Sequence, residues 1–452
     1  MMTLTMSSND KVVNDCLPPS IAEVTSRRID SAVGKFLQSS RFLNTNACKA
    51  LPQFHRTELV FGKLLGKGGF SQAFEITTFC PNGENTGHLS SEQQVARDKL
   101  IVEAQRKTKG KSTFAVKHIQ SKFLNDPSKF KDAAVDLVVE ANFLASINHP
   151  NILSIKGWAI GGAWAYSSGK FDDFFIIMDR MEETLDHRIK NWEQQLKRYK
   201  QPSLEKLAKN GQIQALLFSG RLKIAGDIAG ALSYLHRNGI IYRDLKPSNI
   251  GFDGDGNVKL FDFGLSREMP EDAKDMGDVY KMSGLVGTVR YMCPEVCKGE
   301  SYNQKADCYS LSMVIWEIFA LEKPFKTFTK GMHKRFVVEN GDRPPLNPSW
   351  PYGVQALLLC AWSSNINFRP TMEQFHANLI QQLSELQMSS EADVELNVQL
   401  KTCVSKGKYE PPSRFKSNAM ISARSVDTAE TFMAFSGSDR SLHSVGVDVD
   451  LL

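Results

Sequence analysis

Cysteine is scarce and unpatterned in this sequence: eight among 452 residues, at positions 16, 48, 80, 293, 297, 308, 360 and 403. Such scatter excludes a disulfide framework, and the chain reads as reduced and intracellular, cytoplasmic by expectation with the nucleus open to it. Only Cys293, Cys297 and Cys308 lie close in sequence. Three cysteines with no histidine nearby make a poor zinc site, so buried small residues are the expectation. No run of about 18 apolar residues occurs, and no membrane-spanning helix is expected. Met1 to Cys16 is polar and mixed in charge, without the apolar stretch of a secretory signal. An excess of one charge is missing too. Fifty-five Lys+Arg against 50 Asp+Glu leave +5, too little over this length to point to nucleic acid.

The composition is that of a globular chain, 42% apolar and 23% charged, with material for one large domain or a few ordinary ones. Residues 57–387 alternate strand-like and helix-like patterns without a break and form the expected ordered block. Residues 1–56 are expected to be a flexible arm. Within it Ile29, Val33, Phe36 and Leu37 recur at helical spacing, either as a surface helix or as an amphipathic docking or autoinhibitory helix. From Met388 onward Ser, Asp, Lys and Pro dominate, so 388–452 are expected to be a disordered tail. Inside the block, Leu59–Ile76, Phe114–Ile119, Leu153–Trp158 and Phe174–Asp179 read as strands, with a helix over Lys131–Ile147. After Thr184 helices dominate, notably Arg221–Asn238 and Lys305–Leu321, with a hairpin over Ile250–Leu260. Strands first and helices later give an α+β chain in two lobes, about 57–180 and 181–387, with a cleft expected near Asp179–Glu183.

The chemistry-bearing residues fall along this cleft. Leu65-Gly66-Lys67-Gly68-Gly69-Phe70-Ser71-Gln72-Ala73 lies between two strand patterns. Glycines there let backbone N–H groups approach phosphate oxygens without Cβ interference. A strand follows the loop where a dinucleotide or Walker motif requires a helix. In Phe114-Ala115-Val116-Lys117 the lysine shares a strand face with Ala115, which leaves room for a flat ligand. Glu140 sits beside the apolar face of a helical stretch, where a carboxylate is costly unless paired; Lys117 is the partner expected for it. Four polar residues, Arg243, Asp244, Lys246 and Asn249, fall within seven positions flanked by Ile240, Ile241 and Ile250, which pull them inward. Thirteen residues beyond Asn249 comes Asp262, between Phe261 and Phe263. Asn249 and Asp262 supply oxygen ligands suited to Mg²⁺, and Asp244 remains free to accept a proton from an attacking hydroxyl.

In order and spacing these elements resemble the eukaryotic protein kinases, serine/threonine type, over residues 57–387. Gly66 and Gly68 match the glycine-rich loop, Lys117 the strand lysine and Glu140 its helix partner. Tyr242-Arg243-Asp244…Asn249 resembles the catalytic loop, and Asp262-Phe263-Gly264 the metal-binding triplet. Cys293-Pro294-Glu295 stands where the family has Ala-Pro-Glu, and Asp307 and Arg369 also match, Arg369 as the ion-pair partner of Glu295. The resemblance implies a bilobal fold with a small, mostly-β first lobe and a larger, mostly-α second one. It implies transfer of the ATP γ-phosphate, with Mg²⁺, to Ser or Thr of protein substrates in intracellular signalling. ATP would contact Leu65, Gly66, Lys67, Gly68, Gly69, Ala73, Ala115, Lys117, Met178, Asp179 and Met181, with Glu183 or Thr184 near the ribose. Asp244 would be the base and Lys246 would neutralise the moving phosphoryl group, with Lys117 and Glu140 completing the catalytic set. Arg243 would bind an activation-segment phosphate placed by an upstream kinase on Ser283, ahead of Tyr280 or Thr288; Thr288 would contact Asp244 and Lys246.

The sequence departs from the family at Ser71 (third loop glycine), Ala73 (a valine over adenine), Gly251 (a bulky floor), Tyr242 (histidine) and Ser312 (glycine). The first four motivate an alternative, a nucleotide-binding pseudokinase scaffold; a kinase-fold enzyme acting on a small molecule is a third reading. Two inserts, 78–112 and 190–212, are rich in Lys and Arg, Arg97 among them, and are expected to be solvated faces or docking surfaces for acidic partners. Asp253-Gly254-Asp255-Gly256-Asn257 mimics the start of a calcium loop but lacks its closing glutamate, so a hairpin turn is expected.

Overall fold

The computed structural model describes residues 16–43, 51–82, 89–105, 112–199, 211–270, 274–275, 279–284 and 287–387. The expected tail 388–452, with Arg424-Ser425 and Arg440-Ser441, lies outside the described residues. So do Cys48, Cys403, Arg106, Lys107, Lys109 and Lys111 of the first insert, and Lys200, Lys206 and Lys209 of the second.

The first lobe is a six-stranded sheet in the order β1-β5-β6-β4-β3-β2. Its strands are β1 (Gln53–Phe54), β2 (Leu59–Lys67), β3 (Ser71–Phe79), β4 (Phe114–Ile119), β5 (Ile155–Ala159) and β6 (Ile176–Asp179). β4 and β6 lie centrally and carry near-continuous apolar runs, because both of their faces are covered. One helix behind the sheet, α3 (Pro127–Ser146), carries Glu140. Asp126 caps it by accepting the N–H groups of Ser128 and Lys129 at 3.2 and 3.1 Å, with Pro127 at the first helical position. Phe130, Ala134, Leu137, Ala141 and Leu144 recur at helical spacing and are buried.

The helix expected in the N-terminal arm runs over Pro19–Ser39 (α1), longer than the apolar periodicity suggested. It buries Ala22, Ile29 and Val33 in the same core as the sheet lobe. The first insert folds as α2 (Ser91–Ala104), opened by a capping box between Ser90 and Gln93. Its Arg97 is not a solvated surface charge. It is wholly buried, paired with the carboxylate of Glu58, donating to Gln53 O at 2.8 Å and lying over the Phe54 ring at 4.6 Å. The insert is thereby riveted to the lobe, since a buried charge persists only with such partners.

Past a two-residue strand β7 (Glu183–Thr184) the chain becomes helical: α4 (Leu185–Tyr199), α5 (Gly211–Arg237), α6 (Pro294–Lys298), α7 (Lys305–Ala320), α8 (Tyr352–Ala361) and α9 (372–387). α7 is buried on nearly every face and packs with α5. The segments that bear the site lie in small strand pairs. β8 (Ile240–Ile241) pairs with β11 (Arg267–Glu268), and β9 (Ile250–Phe252) pairs with β10 (Val258–Leu260) and β7. The β9–β10 turn is a hairpin: Asp253 accepts the N–H groups of Asp255 and Asn257 at 3.1 and 2.8 Å. Among the described residues no helix is long and apolar enough to cross a membrane.

Candidate active site

The roof of the cleft is the β2–β3 hairpin. Gly66 pairs with Ala73, and Ala73 with Lys117, so small residues form a row leading to the lysine. The hairpin tip is pinned by a side chain that sequence reasoning missed. Gln120, buried at the end of β4, donates to the carbonyls of Gly68, Gly69 and Ser71 at 2.7, 3.2 and 3.2 Å. Lys122 adds a bond to Gly69 O at 3.0 Å, and Phe70 stacks on Phe123 at 5.8 Å. A buried amide directly after an apolar strand is the signal that marks Gln120.

Lys117 Nζ lies 2.7 Å from both oxygens of Glu140 and 3.1 Å from Asp262 Oδ1. Burial alone would lower the lysine pKa, but Asp262 and Glu140 outweigh it and hold the ammonium above its ordinary value. Lys117, working against burial, keeps Asp262 below the usual carboxylate range, whereas burial pushes Glu140 up. Two carboxylates thus share one ammonium, a local charge deficit that favours a further cation.

The catalytic-loop segment is held from below. Asp307, fully buried at the start of α7, accepts the N–H groups of Tyr242 and Arg243 at 2.8 and 2.9 Å and contacts His236 Nε2 at 2.9 Å. That grip fixes Arg243 at φ +71°; Asp262 is likewise left-handed at φ +68°. Non-glycine residues in this region are strained and concentrate at functional sites. Tyr242 donates its hydroxyl to Phe261 O and meets Phe263 edge-on at 5.2 Å. Asp244 receives Lys246 Nζ at 2.5 Å, Asn249 Nδ2 at 3.1 Å and the Thr288 hydroxyl at 3.0 Å. Gly287 beside Thr288 is required by close approach: at φ +97°, a Cβ there would stand 2.5 Å from Arg243 O.

Because Asn249 turns its amide nitrogen to Asp244, its amide oxygen is left as an acceptor. Asp262 commits Oδ1 to Lys117 and keeps its other oxygen, its side chain being 41% exposed. An amide oxygen and a carboxylate oxygen fit Mg²⁺, which takes the rest of its shell from water and phosphate. Burial pushes the thiols of Cys293 and Cys308 well up and that of Cys297 to about 11.

At the hinge, Met178 pairs with Ala115 and Asp179 with Phe114. The Asp179 carboxylate faces Lys156 at 3.3 Å. Met181 fills the floor opened by Gly251: a Cβ at 251 would meet Met181 Cγ at 2.8 Å and Sδ at 3.0 Å. Glu183 and Thr184, the ribose candidates, are engaged by Arg188 at 2.7 Å and Asp186 at 2.5 Å. In the activation segment Arg243 Nη1 donates to Ser283 Oγ at 2.9 Å, while Tyr280 is buried. The Arg369–Glu295 ion pair is buried, with bonds of 2.5 and 2.8 Å.

Comparison with known proteins matches a segment that holds Lys117, Glu140, the Asp244 loop and Asp262 and begins after the β2–β3 hairpin. The protein kinase domain model fits residues 101–379. A probable serine/threonine-protein kinase of Dictyostelium discoideum is 38% identical over 152 residues, 33% of this chain and 10% of its own length. Another from that organism is 28% identical over 270 residues, 59% of this chain and 17% of its length. A serine/threonine/tyrosine-protein kinase of Arabidopsis thaliana is 35% identical over 160 residues, 35% of this chain and 39% of its length. The chain thus spans less than two-fifths of each of these relatives. With the Lys117–Glu140 pair, the Asp244 loop and Asp262 facing one cleft, and with most of the chain covered by the domain match, the chain belongs to the protein kinase family.

Proposed function

We propose that the chain is a serine/threonine protein kinase that transfers the γ-phosphoryl group of ATP to Ser or Thr hydroxyls of protein substrates. The observation that supports this best is the convergence of Lys117, Glu140, Asp244, Lys246, Asn249 and Asp262 on one cleft, each held by partners that fix its direction. Lys117, oriented by Glu140, binds the α- and β-phosphates, and the loop Leu65–Gly69 with Ala73 covers them. Ala115, Met178, Asp179 and Met181 line the adenine side. Asn249 and Asp262 would hold Mg²⁺, which when bound would neutralise phosphate charge. Asp244 orients the acceptor hydroxyl and takes its proton as the new P–O bond forms and the bond to the ADP oxygen breaks. Lys246 screens the charge on the transferred group. In this chemistry the protein contributes position and electrostatics above all.

The intracellular setting read from the unpatterned cysteines and a signalling role belong to the same proposal. Ser283, bonded to Arg243, is the proposed regulatory phosphosite for an upstream kinase; full activity of a preparation free of phosphate by mass spectrometry would contradict it. The acceptor class is tested by phosphoamino-acid analysis of generic protein labelled by the purified chain. Phosphoserine or phosphothreonine is the expected product, and phosphotyrosine alone would contradict the assignment.

A further inference from the structure

Leu17–Leu43 crosses the back of the first lobe and ends on the activation segment. At its start Leu17 N donates to Gly169 O at 2.9 Å. The contact is close enough that a Cβ on Gly169 would stand 2.7 Å from Leu17 O. α1 then packs on the β5–β6 connector and on α3. Phe36 and Phe42 meet the fully buried Phe143 of α3 at 5.9 and 6.4 Å, one helical turn past Glu140. Immediately after α1 the chain closes on Glu268. Its carboxylate accepts the Ser40 hydroxyl, Arg41 N at 3.0 Å and Phe42 N at 3.4 Å. Glu268 belongs to β11, which pairs with β8, the strand that runs straight into the Asp244 loop. The same segment that buttresses the Glu140 helix is therefore tied, through one carboxylate, to the strand pair that flanks the Asp244 and Asp262 segments.

We propose that residues 17–43 are a strap that holds α3 inward, and that Glu268 is a positioning residue for the Lys117–Glu140 pair, acting through Ser40 and the ring contacts of Phe36 and Phe42 with Phe143. The proposal rests on the kinase reading for its catalytic consequence, but its structural consequence stands apart from it. Of the expectations for this helix, a surface helix in a flexible arm, a docking helix or an autoinhibitory one, docking on the lobe fits these contacts. A helix that inhibits by filling the cleft does not, because its contacts run to the β5–β6 connector and α3, and the chain after it closes on Glu268. Glu268 is the point at which the strap can be detached without touching any group proposed to meet ATP.

The test uses the full chain with Ser40→Asp, Glu268→Lys and both together. Ser40→Asp sets a like charge against the Glu268 carboxylate, and Glu268→Lys deprives Ser40, Arg41 and Phe42 of their acceptor. The double variant restores an opposite-charge pair at the same place. The single variants are expected to lose about tenfold in kcat, and the double to return to within about threefold of wild type, a factor of ten corresponding to about 1.4 kcal/mol of barrier. Amide exchange over residues 136–146 should quicken in the singles and slow again in the double. Full kcat with unchanged α3 exchange in the singles would overturn the strap. So would equal losses in singles and double, which would signal general damage. An inactive wild type whose α3 exchange still follows the charge swap would instead overturn the kinase reading while upholding the strap.

Discussion

Thr288 donates its hydroxyl to Asp244 Oδ1 at 3.0 Å, while Lys246 and Asn249 take the opposite oxygen of the same carboxylate. The proposed base is therefore gripped on both sides, and one grip comes from the activation segment. Thr288→Val keeps the shape and removes the donor. It should lower kcat about tenfold with KM for ATP within about twofold, as expected for a group that aims the base and does not touch the nucleotide. A rise in KM at unchanged kcat would contradict this role.

Met181 and Gly251 form a complementary pair, the long side chain occupying the space the glycine leaves. Gly251→Leu should drive Met181 toward the adenine and Phe261, raising KM for ATP about tenfold with kcat little changed, and Met181→Ala in the same chain should recover most of the loss. Initial rates at varied ATP measure both. Equal KM in wild type and Gly251→Leu would show that this pair does not form the floor.

Stability should depend on pH through Glu317. Its carboxylate is 1% exposed on α7 and accepts the Tyr291 hydroxyl at 2.7 Å, and burial pushes its pKa up to about 7. Between the ordinary carboxyl range and about 7 the folded chain holds a proton that the unfolded chain has released, so stability falls as pH rises through this window. Glu317→Gln keeps an acceptor for Tyr291 and carries no charge. It should melt with wild type at about pH 5 and be more stable at about pH 8, by up to about 3 kcal/mol, since each pH unit of the window contributes about 1.36 kcal/mol. Parallel melting curves at both pH values would contradict the assignment.

The gathered polar residues of the cleft were legible because each stands among apolar neighbours that force it inward. Asp244 between isoleucines and Asp262 between phenylalanines are local patterns. The two-lobe order was legible for the same reason, in the switch from strand to helix periodicity after Thr184. What could not be read are pairings across long separations. Arg97 looks like one more basic residue in a polar insert, and only the fold sets it against Glu58, 39 positions away. Glu268 and Ser40 are 228 positions apart and carry no mutual signature in sequence. Gln120 lies between, because its burial follows from the strand before it while its three carbonyl partners do not.

Phosphoryl transfer to protein from this cleft is measured by incubating wild type and Asp262→Asn with radiolabelled ATP, Mg²⁺ and generic protein. Wild type should place label on serine or threonine, and the variant should lose about a hundredfold to a thousandfold of that rate, the scale expected when one preorganised group is removed. Equal labelling by the two proteins, or none by wild type despite thermal stabilisation by nucleotide, would contradict the account.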